Sequence, residues 1–132
     1  MRKEGERIAI AADRALISIG RRANTSSLGL ETIGVATERG AVITDAHLRT
    51  NVAGVYAAGD VNGRSMLAHT AYREAEVAVN DMLGIPDEMR YDAIPAVIYT
   101  NPELASAGET EYTARAKGME VETVALPMRY SG

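Results

Sequence analysis

One stretch of this 132-residue chain carries apolar residues at helical spacing for long enough to build a substantial helix, and it limits what the rest can be. Between residues 68 and 83, Ala68, Ala71, Ala75, Ala78 and Met82 recur three or four positions apart. That spacing predicts a helix with a narrow face of small residues, able to approach a sheet closely. Gly84 supplies its C-terminal stop and Pro86 prevents continuation. Elsewhere the apolar runs are short. Residues 7–10 and 15–19 predict strands, the second stopped by Gly20. Residues 23–34 predict a loop with a short helical turn near 28–33. Glu38-Arg39-Gly40 predicts a turn, followed by a brief strand over 41–43. Residues 54–58, bounded by Gly54, predict a buried parallel strand. Residues 85–92 form a polar connector; after it come a strand over 96–99, a short helix over 109–117 and a weakly alternating strand over 120–126. The class is α/β, with a junction near 85–93.

Composition narrows the functions open to such a chain. Its length fits one modest domain, able to bury roughly two-thirds of its unfolded surface. There is no Phe or Trp, and six Tyr are the only aromatics, so Ala, Val, Ile and Leu must fill the core. A net charge of −4 argues against nucleic acid, and the longest basic cluster, Arg21-Arg22, is too short for a patch. Zero Cys excludes a disulfide, a Cys-ligated zinc and thiol catalysis within this chain. Two His leave too few ligands for a His-rich metal site. No apolar run reaches the roughly 18 residues of a membrane span. The first residues lack the apolar core of a signal peptide, so the expected location is cytoplasmic.

The most informative segment is Thr50-Asn51-Val52-Ala53-Gly54-Val55-Tyr56-Ala57-Ala58-Gly59-Asp60. A polar Thr and a turn lead into an apolar strand that ends on Gly-Asp. Ligands of open α/β sheets bind outside the carboxyl ends of strands. Gly59 lets a ligand come close to the backbone, and Asp60 offers a carboxylate to sugar or ribitol hydroxyls. Six positions on, Met66-Leu67-Ala68-His69 opens the predicted helix. Free N–H groups and the positive end of the helix dipole favour negative charge there.

Residues 50–60 resemble the second FAD-binding signature of the flavoproteins with two dinucleotide-binding domains. Met66-Leu67-Ala68-His69 is similar to the helix start that lies beside the flavin pyrimidine edge in pyridine nucleotide–disulfide oxidoreductases, in the form carried by the dihydrolipoamide dehydrogenases. Residues 13–24 resemble the last strand of that family's NAD domain and its Gly-Arg-x-Pro-Asn exit, with Ala23 in place of Pro. Residues 94–103 resemble the opening of its dimerisation domain, with Asn101 where His is common.

The resemblance implies incomplete pieces of FAD/NAD(P)-binding Rossmann-like domains, followed by the start of an α+β dimerisation domain. Its divisions fall at 1–22 (end of the NAD-binding domain), 23–92 (part of the FAD-binding domain) and 93–132 (truncated interface domain). It implies an internal fragment of an FAD-dependent enzyme that oxidises dihydrolipoamide with NAD. In it Asp60 would anchor the flavin ribitol, Met66, Leu67, Ala68 and His69 would face the pyrimidine, Gly59 would flank it, and Gly20 would lie against NAD. Catalytic residues and metal ligands are expected to be absent, as are both Gly-rich pyrophosphate turns and the redox Cys pair. The fragment is expected to be inert and to bind FAD and NAD weakly or not at all. A homodimer, and the lipoyl domains of a 2-oxoacid dehydrogenase or glycine cleavage complex, are the implied partners. A fragment of a mercuric reductase, glutathione reductase or soluble transhydrogenase is the related alternative, against which the Met66 to His69 form argues. A non-catalytic binding or assembly module is the distinct one.

Overall fold

The computed structural model describes residues 9–127, together with the backbone of Arg2–Lys3 (β1) and Glu6–Arg7 (β2). The further elements are β3 (Thr37–Glu38), β4 (Ala41–Val42), α1 (Ala68–Met82), β5 (Ala96–Ile98), β6 (Leu104–Ser106) and α2 (Glu111–Ala116). Two 3₁₀ turns, Leu30–Ile33 and Asp60–Asn62, complete the list. The strands form three antiparallel pairs, β1 with β2, β3 with β4 and β5 with β6. Thr37 faces Val42 in the second, and Val97 faces Ala105 in the third.

The predicted parallel strand over 54–58 is not formed among the described residues. Tyr56 instead makes a single antiparallel bridge to Arg49. The cause is local: Thr50 N–H bonds the Val55 carbonyl at 2.9 Å, and Val55 N–H bonds the Val52 carbonyl at 3.1 Å, folding the segment back on itself. The predicted strand over 15–19 is likewise unpaired, with Leu16 92% and Ile19 93% exposed. Part of the 7–10 prediction falls on β2, but Ala9 and Ile10 lie outside any ladder, and residue 8 lies outside the described residues. The predicted strand over 120–126 pairs with nothing among the described residues either, and β6 carries no clear signal in the sequence. A strand needs a neighbour, and these segments have none among the described residues.

The helix stands as the spacing predicts, but its buried face does not. Thr70, Glu74, Val77 and Ala78 are buried, whereas Ala68, Ala75 and Met82 are not. The neighbours of α1 include Leu48 and Tyr56, the 59–62 turn and the 85–92 connector, and they cover the side that carries Glu74, Val77 and Ala78. The helix ends in a left-handed Gly84 (φ 72°), with the Ile85 N–H reaching back to the Asn80 carbonyl at 2.8 Å.

Two small cores lie on either side of residues 48–57. One joins Leu48, Val77, Ala78 and Met89, with Tyr56, Tyr91 and Ile94 against them. The other joins Val35, Val42 and Ala57, with Leu30, Val52, Val55 and Val61. The connector is strapped down by Met89 N–H to the Ala46 carbonyl (2.8 Å) and by an Arg73–Asp87 ion pair (2.5 Å). α2 begins with a reciprocal cap between Thr110 and Thr113. Among the described residues no helix is long and apolar enough to cross a membrane.

Candidate cofactor-binding site

Gly59 holds φ 82° and ψ −158°, a conformation open essentially to Gly alone. A Cβ there would stand 3.3 Å from the Ala71 side chain. Close packing on the first turns of α1 therefore accounts for Gly59 in this chain, alongside the backbone conformation. Asp60 opens the 3₁₀ turn, which closes when the Gly63 N–H bonds the Asp60 carbonyl at 3.1 Å. The Asp60 side chain is exposed, and its carboxylate has no hydrogen-bond or ion-pair partner among the described residues. The turn thus presents a free carboxylate beside the start of α1.

That helix start lacks a side-chain cap. Leu67 is the N-cap residue and offers no acceptor. The first helical bond runs from Ala71 N–H to the Leu67 carbonyl, so the N–H groups of Ala68, His69 and Thr70 precede the ladder. Ser65 and Thr70 hydroxyls bond each other at 2.9 Å. The exposed His69 ring shares a 2.7 Å bond with the Pro95 carbonyl. A carbonyl only accepts, so Nε2 carries the proton. His69 thereby ties the helix start to the segment leading into β5.

Folding also gathers charge that the sequence scatters. A cleft of about 570 Å³ is lined by Arg21, Arg22, Arg39 and Arg64, with Glu38 the one acidic residue, together with Asn62, Gly63 and Met66. Arg39 and Arg64 extend the Arg21-Arg22 pair, which by itself is too short for a patch. Arg64 donates to the Thr44 carbonyl at 2.7 Å and lies over the Tyr91 ring at 5.3 Å. Arg21, Arg22 and Arg39 pair with no carboxylate among the described residues. Of the site residues read from sequence, Met66 lines this cleft. Leu67 lines a separate hollow of about 550 Å³ with Arg64 and Tyr91. Gly20 is exposed at φ 96° with nothing within 4 Å of its Cβ position, and it lines neither.

A free carboxylate on a Gly-only turn, unpaired helix N–H groups and an arginine cleft together suit a ligand with both hydroxyls and negative charge. Residues 1–75 match the family model for pyridine nucleotide-disulphide oxidoreductases, and residues 94–132 match the family's dimerisation domain. The chain belongs to that family.

Its sequence is 43% identical over 130 residues to dihydrolipoyl dehydrogenase of Bacillus subtilis, covering 98% of this chain and 28% of the relative. It is 42% identical over 124 residues to the mitochondrial dihydrolipoyl dehydrogenase of Pisum sativum, covering 93% and 25%. The chain thus spans about a quarter of the length of these relatives. Its fold is similar to the crystal structure of LpdA from Mycobacterium tuberculosis, with a TM-score of 0.78 and 34% identity over 86% of this chain and 25% of that one. It is also similar to the HOCl-induced flavoprotein disulfide reductase RclA of Escherichia coli, at 0.72 and 30% over 86% and 27%. The fold class is that of incomplete Rossmann-like and dimerisation domains.

Proposed function

We propose that these residues are the flavin-contacting part of an FAD-dependent dihydrolipoamide dehydrogenase that uses NAD. The observation that carries this reading is the unpartnered Asp60 carboxylate, held on a Gly-only turn against the start of α1. Bound FAD supplies the electron-transfer chemistry. Asp60 accepts hydrogen bonds from ribitol hydroxyls. The backbone N–H groups from Met66 to His69 face the flavin pyrimidine edge and favour negative charge there. The arginine cleft beside Met66 attracts phosphate. Gly20 leaves the backbone open to NAD. None of these residues makes or breaks a covalent bond.

The divisions 1–22, 23–92 and 93–132, a cytoplasmic location, a homodimer through the last segment, and lipoyl domains as partners belong to the same reading. The isolated chain has no cysteine pair to take electrons from dihydrolipoamide, so dihydrolipoamide-dependent NAD reduction is expected to be zero. Measurable turnover by the pure chain would sink that expectation. FAD binding is tested by saturation-transfer NMR, which reads weak complexes. The expected result is a ribitol signal in the wild type that disappears in Asp60→Ala. Equal signals in the two would overturn the assignment. The exposed apolar side chains of Leu16, Ile17 and Ile19 favour a second reading, a non-catalytic assembly module.

A further inference from the structure

We propose that Glu74 is the positioning residue of this site: from the middle of α1 it holds the Gly59–Asp60 turn in the shape that presents Asp60. The proposal rests on the reading of Asp60 as a ribitol anchor. Glu74 is fully buried, at 0% exposure. Its Oε2 accepts the Gly59 N–H at 2.5 Å and the Asn62 side-chain amide at 2.9 Å. Its Oε1 accepts the Tyr91 hydroxyl at 2.7 Å. The three donors come from the turn, from the end of its 3₁₀ helix and from the connector. Among the described residues no Lys or Arg pairs with Glu74, so neutral donors alone offset the lost hydration of a carboxylate.

It stands one helical turn from Val77 and Ala78, where an apolar side chain would join the core but leave the Gly59 N–H, the Asn62 amide and the Tyr91 hydroxyl without their acceptor. What an apolar residue lacks is the grip on the Gly59 N–H. Without it, what remains to hold Gly59 at φ 82° and ψ −158° is the Asn62 N–H on the Gly59 carbonyl (3.1 Å) and the close approach to Ala71. The grip continues along the loop: the Asn62 side-chain oxygen accepts the Arg64 N–H at 3.0 Å, and Arg64 in turn covers the ring of Tyr91. Glu74 acts on the ligand through Asp60, not by touching it.

Two readouts on the 132-residue chain test this. The first is the trans-hydrogen-bond scalar coupling between the Gly59 amide nitrogen and the Glu74 carboxyl carbon in the labelled wild type. Its presence supports the grip, and its absence at full protein stability overturns it. The second is FAD affinity by ligand-observed NMR across Glu74→Ala, Glu74→Gln and Asp60→Ala. Glu74→Ala is expected to weaken FAD about tenfold and to move the Gly59, Asp60 and Asn62 amide resonances. Glu74→Gln keeps an acceptor for Gly59 and is expected to restore both. Asp60→Ala is expected to lose FAD while keeping the Gly59–Glu74 coupling. Unchanged FAD affinity in Glu74→Ala, or no rescue by Gln, overturns the proposal. If Glu74→Ala does not fold, the coupling and the Gln variant decide. If the wild type binds no FAD, the coupling and the amide shifts alone judge the role of Glu74.

Discussion

Leu48 is both fully buried and left-handed, at φ 64°. The conformation costs an L-residue about 1–2 kcal/mol. Burying the side chain against Val77, Ala78 and Met89 returns about 1.5–3 kcal/mol, enough to hold it there. The Asp45 side chain helps by accepting the N–H groups of His47 and Arg49, both at 2.9 Å, which closes the backbone around Leu48. Leu48→Ala keeps the strain and removes the burial, so it should destabilise the chain by about 2–5 kcal/mol in urea titration. Thr44 presents the opposite case. It is buried, and its hydroxyl has no hydrogen-bond partner among the described residues. Thr44→Val removes that orphan at nearly constant volume and should raise the melting temperature. A lower melting temperature would show that the hydroxyl has a partner in solution.

At the scale of elements, α1 is fastened by carboxylates as well as by Val77 and Ala78. Asp81 takes Arg49 and the Tyr56 hydroxyl (2.6 Å), which joins the helix to the Arg49–Tyr56 bridge. Asp87 takes Arg73 and Asn80, which joins the connector to the helix. Arg49 chiefly, then Tyr56, holds the Asp81 carboxyl below its ordinary 3.8; Arg73 chiefly, then Asn80, lowers Asp87 to about 2. A carboxyl with a lowered folded value contributes fully above its ordinary value and loses that contribution as pH falls through the folded one. The urea midpoint should therefore fall between about pH 4 and pH 2, and Asp87→Asn should flatten that acid limb. An unchanged limb in the variant would place the acid-sensitive group elsewhere. Local signals such as Gly84, Glu38-Arg39-Gly40 and the 68–83 spacing made α1, the turn before β4 and the 28–33 turn readable in the sequence, whereas β3 carried no signal of its own. Spacing counted the alanines as the inner face, because it cannot see that the neighbours lie on the Glu74 side. Gly59, Asp60 and the uncapped helix start were legible as a motif. Glu74, Arg39 and Arg64 were not, because only tertiary folding brings them to it.

For the whole molecule, accessible surface sets the argument. A compact 14.1 kDa monomer exposes roughly 6,700 Å², whereas this chain exposes 11264 Å². The roughly two-thirds burial that its length allows is therefore not reached. Much of the excess is apolar and extended: Leu16, Ile17 and Ile19 are each at least 80% exposed, on backbone that no ladder pairs. Unpaired backbone with apolar side chains is a template for pairing with another chain. The purified chain should therefore self-associate, with a sedimentation coefficient that rises with concentration. Leu16→Lys combined with Ile19→Lys puts charge on that template and should return the chain to monomer. The same variant should leave the urea midpoint unchanged, because neither side chain touches the Leu48–Val77 core. A monomer at every concentration would mean that the exposed segment finds cover within the chain itself, and a midpoint lowered by the double variant would say the same.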